Sequence, residues 1–132
     1  MSEDFKGIEQ TLAEWAQFFA EGDVAGLVSL VTPDAEFWTH GMPPIVGRNA
    51  LREAFEAFFE LYSVQQRFEI LERLTGDGWV LLRGVEFNTL VPKAEGESEE
   101  YTQRAFSVLR QDKDGRWRFL RGMTNQESPQ EP

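Results

Sequence analysis

Residues 51–74 read LREAFEAFFELYSVQQRFEILERL, and the hydrophobic period changes inside this stretch. Up to Tyr62, the residues Leu51, Phe55, Phe58 and Tyr62 recur at gaps of three and four, which is one buried stripe of a helix. Ala54, Phe59 and Leu61 flank that stripe, and Glu53, Glu56 and Glu60 lie toward water. After Tyr62 the period falls to about two, with Phe68, Ile70 and Leu74 alternating with charges. Everything before this switch is mainly helical and everything after it is strand.

Working outward from there, Phe5, Ile8, Leu12, Trp15 and Phe19 mark one face of a first helix over residues 4–21. Gly22 suits a left-handed cap, and Asp23 can cap the next helix. That helix is short, with Val24, Leu27, Val28 and Val31, and is stopped by Thr32-Pro33-Asp34. A short strand is predicted over Ala35–Thr39, then a loop over His40–Pro44, then the third helix after Gly47-Arg48-Asn49. Downstream, strands are predicted over 66–74, 79–91, 101–111 and 116–125. Gly76-Asp77-Gly78 and Asp112-Lys113-Asp114-Gly115 supply two of the turns. The second connection, 92–100, is acidic through Glu95, Glu97, Glu99 and Glu100.

The expected fold class is therefore α+β: three N-terminal helices packed on a mostly antiparallel sheet. One domain fills residues 1–132, with an ordered core over about 4–126 and a tail over 127–132. The strand over 79–91 is apolar on both faces, with Trp79, Leu81, Val85 and Phe87 on one and Val80, Leu82 and Leu90 on the other. A sheet wet on one side alternates more cleanly, so a homodimer through the sheet is expected.

Composition narrows the function classes. The chain of 132 residues has no cysteine and one histidine, which removes disulfide frameworks, cysteine-held metals and thiol nucleophiles. A net charge of −10 argues against a nucleic-acid partner. No 18-residue apolar run and no leader pattern over 1–25 is present, so no membrane association and a cytoplasmic location are expected. The basic residues concentrate late: Arg104, Arg110, Lys113, Arg116, Arg118 and Arg121 face only Asp112 and Asp114 within 101–126. Their simplest role is on a solvated sheet face, and the sharper alternative is a docking surface for an acidic partner.

Several ordered fragments carry a family resemblance. They are Glu21-Gly22-Asp23 after the first helix, Leu27–Leu30 before Pro33-Asp34-Ala35-Glu36-Phe37, Gly47-Arg48 at the third helix, and Asp114-Gly115-Arg116-Trp117 at the last strand. In this order, over about residues 5–125, the chain resembles the nuclear transport factor 2-like superfamily in its SnoaL-like branch, with a cystatin-like α+β roll. That resemblance implies a strongly curved, cone-shaped sheet around a pocket closed by the helices. It does not imply one activity, because the fold hosts many. Ketosteroid isomerase relatives carry a carboxylate base where this chain has Thr39, a tyrosine donor where it has Trp15, and a protonated acid near Phe106 or Ser107. All three roles are lost here, so the isomerase reaction itself is not expected.

The remaining candidates follow. His40 is the one imidazole and is read either as the catalytic acid–base group at the pocket mouth or as a loop histidine bonded to the carbonyls of Gly41 or Pro43. The ligand pocket is expected from Trp15, Phe19, Trp38, Thr39, Phe55, Phe58, Phe106 and Asn125, holding a largely apolar small molecule. Glu86 stands mid-strand among apolar neighbours, with Arg83 three residues earlier and Arg104 on the following strand. Facing inward, its pKa would rise unless an arginine pairs with it, but a cross-strand Glu–Arg pair on the outer or dimer face is the favoured expectation. No metal site and no cofactor are expected, since a lone histidine cannot hold a catalytic zinc. Function is left between isomerase, cyclase or hydratase-type chemistry in an apolar pocket and a non-catalytic homodimeric binding or association module.

Overall fold

Ile8 is wholly buried, and it sits on the first of three helices that cover one face of a six-stranded sheet. The computed structural model describes residues 2–126. The expected tail over 127–132 lies outside the described residues. The helices are α1 (Ser2–Glu21), α2 (Val24–Ser29) and α3 (Arg48–Leu61). The strands are β1 (Val31–Trp38), β2 (Ile45–Val46), β3 (Tyr62–Gly76), β4 (Trp79–Pro92), β5 (Glu99–Gln111) and β6 (Trp117–Asn125). Their spatial order is β2-β1-β6-β5-β4-β3. Every neighbouring pair is antiparallel except β1 with β6, which run parallel. The α+β class and the period switch at Tyr62 are as the sequence predicts: β3 begins on the residue after α3 ends.

Local chemistry explains the joints. Gly22 takes φ 66, a left-handed conformation that glycine adopts without steric cost, and so turns the chain out of α1. The Asp23 carboxylate then accepts the Gly26 N–H at 2.9 Å and caps α2. Thr11 Oγ1 donates to the Trp117 carbonyl at 2.8 Å, and Phe119 N–H donates to the Leu30 carbonyl at 2.8 Å. These two bonds fasten α1 and the end of α2 to β6.

The short strand β2 (Ile45–Val46) is not expected from the sequence, β3 starts four residues before the predicted 66, and three further features differ from expectation. Val31 opens β1 and is fully buried, so α2 is shorter than its apolar pattern suggests. Pro33 lies inside β1, exposed, in the irregular stretch between Val31 and Glu36 where the register with β6 shifts. Proline is tolerated there because a bulge removes the need for its missing N–H. On α3 the apolar stripe rotates toward Phe59, which is 6% exposed, while Leu61 faces water.

Two clusters form the core on the helix side of the sheet. Ile8, Val31, Leu51, Val80, Leu82, Leu109, Trp117 and Phe119 make the larger, and Leu27, Phe59 and Val64 the smaller. Trp15 and Phe55 pack against both and join them. The helix-facing set of each strand alternates with an outward set, so Val64, Gln66, Phe68 and Ile70 share the inner face with Glu86, Asn88, Tyr101, Gln103 and Ala105.

Candidate functional site

The inner face of the sheet is apolar near the helices and turns polar along β3, β4 and β5. Gln66 is directly opposite Asn88, which is opposite Tyr101; Phe68 is opposite Glu86, which is opposite Gln103. The Trp15 indole N–H donates to Gln66 Oε1 at 3.1 Å. Gln66 Nε2 donates to Asn88 Oδ1 at 2.9 Å and reaches Glu86 Oε1 at 3.5 Å. Asn88 and Gln103 are 4% and 8% exposed, and Asn88 Nδ2 and Gln103 Oε1 have no hydrogen-bond partner.

Glu86 is the titratable member of this group. Burial lifts its carboxyl to a pKa of about 7, and the Asn88 side chain beside it pulls more weakly the other way. The Tyr101 phenol is pushed up as well, first by burial and then by the charges of Glu86 and Glu99. Glu86 and Tyr101 are half-buried, so the cluster keeps an opening to solvent. The expected outer-face pair of Glu86 with an arginine is not formed. Val85, not Glu86, lies opposite Arg104, and Arg83 instead bonds Glu72 at 3.0 Å. The reason is strand parity: one residue of shift moves a side chain to the other face.

Aromatic rings surround the indole at the helix end of the cluster. Trp15 lies 4.7 Å from Phe119, 5.4 Å from Phe19, 5.9 Å from Phe55 and 6.0 Å from Phe37 between ring centroids. Phe19 in turn contacts Phe55 and Phe58. Thus Trp15, Phe19, Phe55 and Phe58 are brought together ring against ring in the core, and neither open depression is lined by them. Trp38, Phe106 and Asn125 are not. Trp38 and Phe106, 54% and 44% exposed, lie on the outer face with Val108, Arg121 and Met123 around an open depression of about 380 Å³. Asn125 accepts from Arg104 Nε at 2.9 Å on the same outer register. Phe106 is excluded from the interior because buried Gln103 and Ala105 set the inward parity of β5; of the two positions matched to the isomerase acid, Ser107 is the inward one.

Thr39 is half-buried just past β1, and its carbonyl accepts the Met42 N–H at 3.0 Å. His40 is exposed. Its backbone N–H donates to Thr124 Oγ1 at 3.3 Å and its Nδ1 accepts the Gln126 N–H at 3.2 Å. It therefore ties its loop to the end of β6 through Gln126, not through Gly41 or Pro43. Glu86 on β4 is two strand spacings from β6, roughly 10 Å.

A second open depression, of about 710 Å³, is lined by Gln66, Asn88 and Tyr101 together with Gln65, Arg67, Phe87, Thr89, Glu100 and Thr102. The latter six occupy outward register positions, so most of this space lies on the far face. There Arg67 stacks over the Phe87 ring at 4.1 Å. The late arginines are largely engaged within the chain. Arg118 bonds Asp112 and Asp114, each at 2.8 Å, and holds Asp114 down to about 2; Arg110 bonds Asp112 at 2.9 Å; Arg116 bonds Glu14. That matches the solvated-face expectation.

Residues 12–120 match the family model of the SnoaL-like domain. The chain belongs to the SnoaL-like domain family. No curated protein sequence matches it. Among solved structures, this SnoaL-like chain is similar to a conserved protein from Planctomyces limnophilus, with 22% identity, a TM-score of 0.88, and 95% of this chain and 97% of the other covered. It is also similar to a ketosteroid isomerase-like protein from Erwinia carotovora atroseptica, at 25% identity and TM-score 0.84, covering 98% and 100%. A third is an NTF2-like protein with a cystatin-like fold from Novosphingobium aromaticivorans, at 16% identity and TM-score 0.80, covering 97% and 84%.

Gln66, Asn88, Tyr101 and Gln103 were not singled out by sequence reasoning. The available signal was Glu86, Asn88, Gln103 and Gln66 at alternate positions of strands that are otherwise apolar on the inner side. Placing them on one face needs the strand register. Among the described residues no helix is long and apolar enough to cross a membrane, and no three His, Asp or Glu side chains are grouped to hold a metal ion.

Proposed function

We propose that this SnoaL-like protein binds a small, largely apolar molecule on the inner face of its sheet and exchanges a proton with it through Glu86. The observation that carries this is a buried carboxyl with a pKa of about 7, offset by an amide and not by a cation. Near neutral pH both its forms are populated, which is the condition for one group to take a proton and return it. As carboxylate, Glu86 removes a proton from the carbon beside a carbonyl. The electron pair moves into the C–C bond and onto the carbonyl oxygen, giving an enolate beside the donors of Asn88 and Tyr101. The carboxylic acid then returns the proton to the same or a conjugated carbon, or to a departing hydroxyl, which leaves as water. The similarity to a ketosteroid isomerase-like protein supports carbonyl-adjacent proton transfer, although this carboxyl stands at a different position from the family base matched to Thr39.

The test follows α-proton exchange of 2-tetralone in D₂O by NMR. Wild-type protein is expected to accelerate exchange over buffer, and Glu86→Gln to lose at least about 100-fold of that acceleration. Exchange retained in Glu86→Gln but lost in His40→Gln would move the role to His40.

A second reading concerns association. Trp38, Phe106 and Met123 expose 54%, 44% and 44% of their surfaces on one outer patch, which a twofold homodimer would cover. Sedimentation equilibrium of wild type against Phe106→Glu checks it: a dimer that becomes a monomer supports the reading, and a wild-type monomer at high micromolar concentration ends it.

A further inference from the structure

The hydrogen bonds around Gln66 have a direction that the chemistry of the groups enforces. An indole N–H donates and never accepts. Trp15 therefore turns the oxygen of Gln66 toward itself, at 3.1 Å. The Gln66 amide nitrogen must then point the other way, and it donates to Asn88 Oδ1 at 2.9 Å. With its oxygen held there, Asn88 presents its NH₂ away from Gln66, toward the Glu86 carboxyl whose charged form it favours, and that buried NH₂ makes no hydrogen bond of ordinary geometry. The buried acceptor without a partner, Gln103 Oε1, is on the neighbouring strand. Gln103 lies directly opposite Glu86 and diagonal to Asn88 on the same face. Such positions stand about 5 Å and about 7 Å apart at Cβ, within reach of these side chains. A donor of fixed sense, an acceptor and a carboxyl thus occupy neighbouring register positions on one face of β4 and β5.

We propose that Asn88 Nδ2–H and Gln103 Oε1 form a matched donor–acceptor pair that selects a neutral ligand carrying a carbonyl oxygen next to an O–H or N–H donor, as in a hydroxyketone or a carboxamide. This rests on the reading of the inner face as the ligand site. Two orphaned groups, each more than nine-tenths buried, cost free energy in the empty protein and regain it when one ligand satisfies both. The carbonyl accepts from Asn88, and the adjacent donor bonds Gln103. An anionic ligand is disfavoured, since its charge would sit beside the Glu86 carboxyl. Polar groups that recognise a ligand hydrogen bond also discriminate against an analogue lacking it, because their own bond is then left unmade.

The experiment is isothermal titration of the full chain with three probes of one apolar body: 2-naphthamide, which has acceptor and donor; 2-acetonaphthone, which has the acceptor alone; and 2-ethylnaphthalene, which has neither. The expected order of affinity is naphthamide, acetonaphthone, ethylnaphthalene, with about a 3- to 10-fold step at each added hydrogen bond. Gln103→Met is expected to bring naphthamide and acetonaphthone together while retaining the step to ethylnaphthalene. Should that variant fail to fold, the side-chain amide ¹⁵N–¹H signals of Asn88 and Gln103 in wild type provide the second readout: naphthamide shifts both, ethylnaphthalene neither. Equal binding of all three probes overturns the donor–acceptor assignment, leaves the apolar site standing and assigns the two atoms to water. Absence of binding by any probe overturns the inner-face site itself and this inference with it.

Discussion

Trp15 on α1 and Gln66 on β3 are joined by one hydrogen bond of 3.1 Å, and that bond orients the polar groups of the inner face. It links a helix position inside an aromatic cluster to the strand that carries the amides. Trp15→Phe keeps the ring contacts and deletes the donor. Gln66 Oε1 is then unpaired and free to flip, so the fixed sense of Asn88 is lost. The expected cost is about 1–2 kcal/mol in urea unfolding, for a part-buried neutral hydrogen bond. Gln66→Met in the Trp15→Phe background should add a further cost of about 1 kcal/mol or more, because the buried Asn88 Oδ1 then also loses its Gln66 donor.

Glu86 makes stability depend on pH in a defined direction. Its folded pKa, about 7, is above the reference value of 4.5, so the native state holds the proton more tightly than the unfolded chain. Stability attached to this group is present below pH 4.5, declines as pH rises through 7, and is level above that. The full change is about 3 kcal/mol, from 1.36 kcal/mol for each unit of pKa. Glu86→Gln should flatten this slope in denaturation curves taken from pH 4.5 to 8 and be the more stable protein at pH 8. A Glu86→Gln curve parallel to wild type over that range would show that the carboxyl is solvated.

Gly84 stands where β3 and β4 shift register, between the pairs Ile70–Gly84 and Glu72–Arg83. A Cβ there would run into the Glu69 carbonyl and would lie 2.9 Å from the Phe68 ring. Backbone cannot withdraw as a flexible side chain can. Gly84→Ala is therefore expected to destabilise by about 2–3 kcal/mol or more, at the upper end of overpacking costs. It should also disturb Glu86, two residues along the same face, as a shift in its titration followed by carboxyl NMR.

His40→Ala removes the acceptor of the Gln126 N–H on an exposed loop. Water replaces it, so the melting curve should stay within about 0.5 kcal/mol of wild type. A larger loss would show that the β6 end depends on this histidine.

Much of the fold is legible from residues 51–74 and the apolar spacing of Phe5 to Phe19, since helices and strands impose periods that local sequence must obey. The boundary at Val31 is not legible, because Val24, Leu27, Val28 and Val31 fit a helix spacing and only pairing with Phe119 of β6 makes Val31 a strand residue. Of the residues expected at the site, the helix aromatics were legible as a packed group and the strand residues were not. Trp15, Phe19, Phe55 and Phe58 lie on helix stripes, and a helix stripe points to the core wherever the helix packs. Trp38, Phe106 and Asn125 are strand residues, and alternation tells that neighbours point oppositely without telling which way is in.

The sequence by itself determined the class of fold, the order of its elements apart from the short strand β2, the switch of period at Tyr62 and the aromatic surface that the helices bury. These are local properties, set by spacing and turn chemistry within a few residues. Only the tertiary structure decided which strand face is the interior. That decision carried Glu86, Asn88 and Gln103 inward and Trp38 and Phe106 outward. The physical reason is that a strand's parity is fixed by pairing with distant strands, here β3 to β6, and one residue of register inverts every side chain along it.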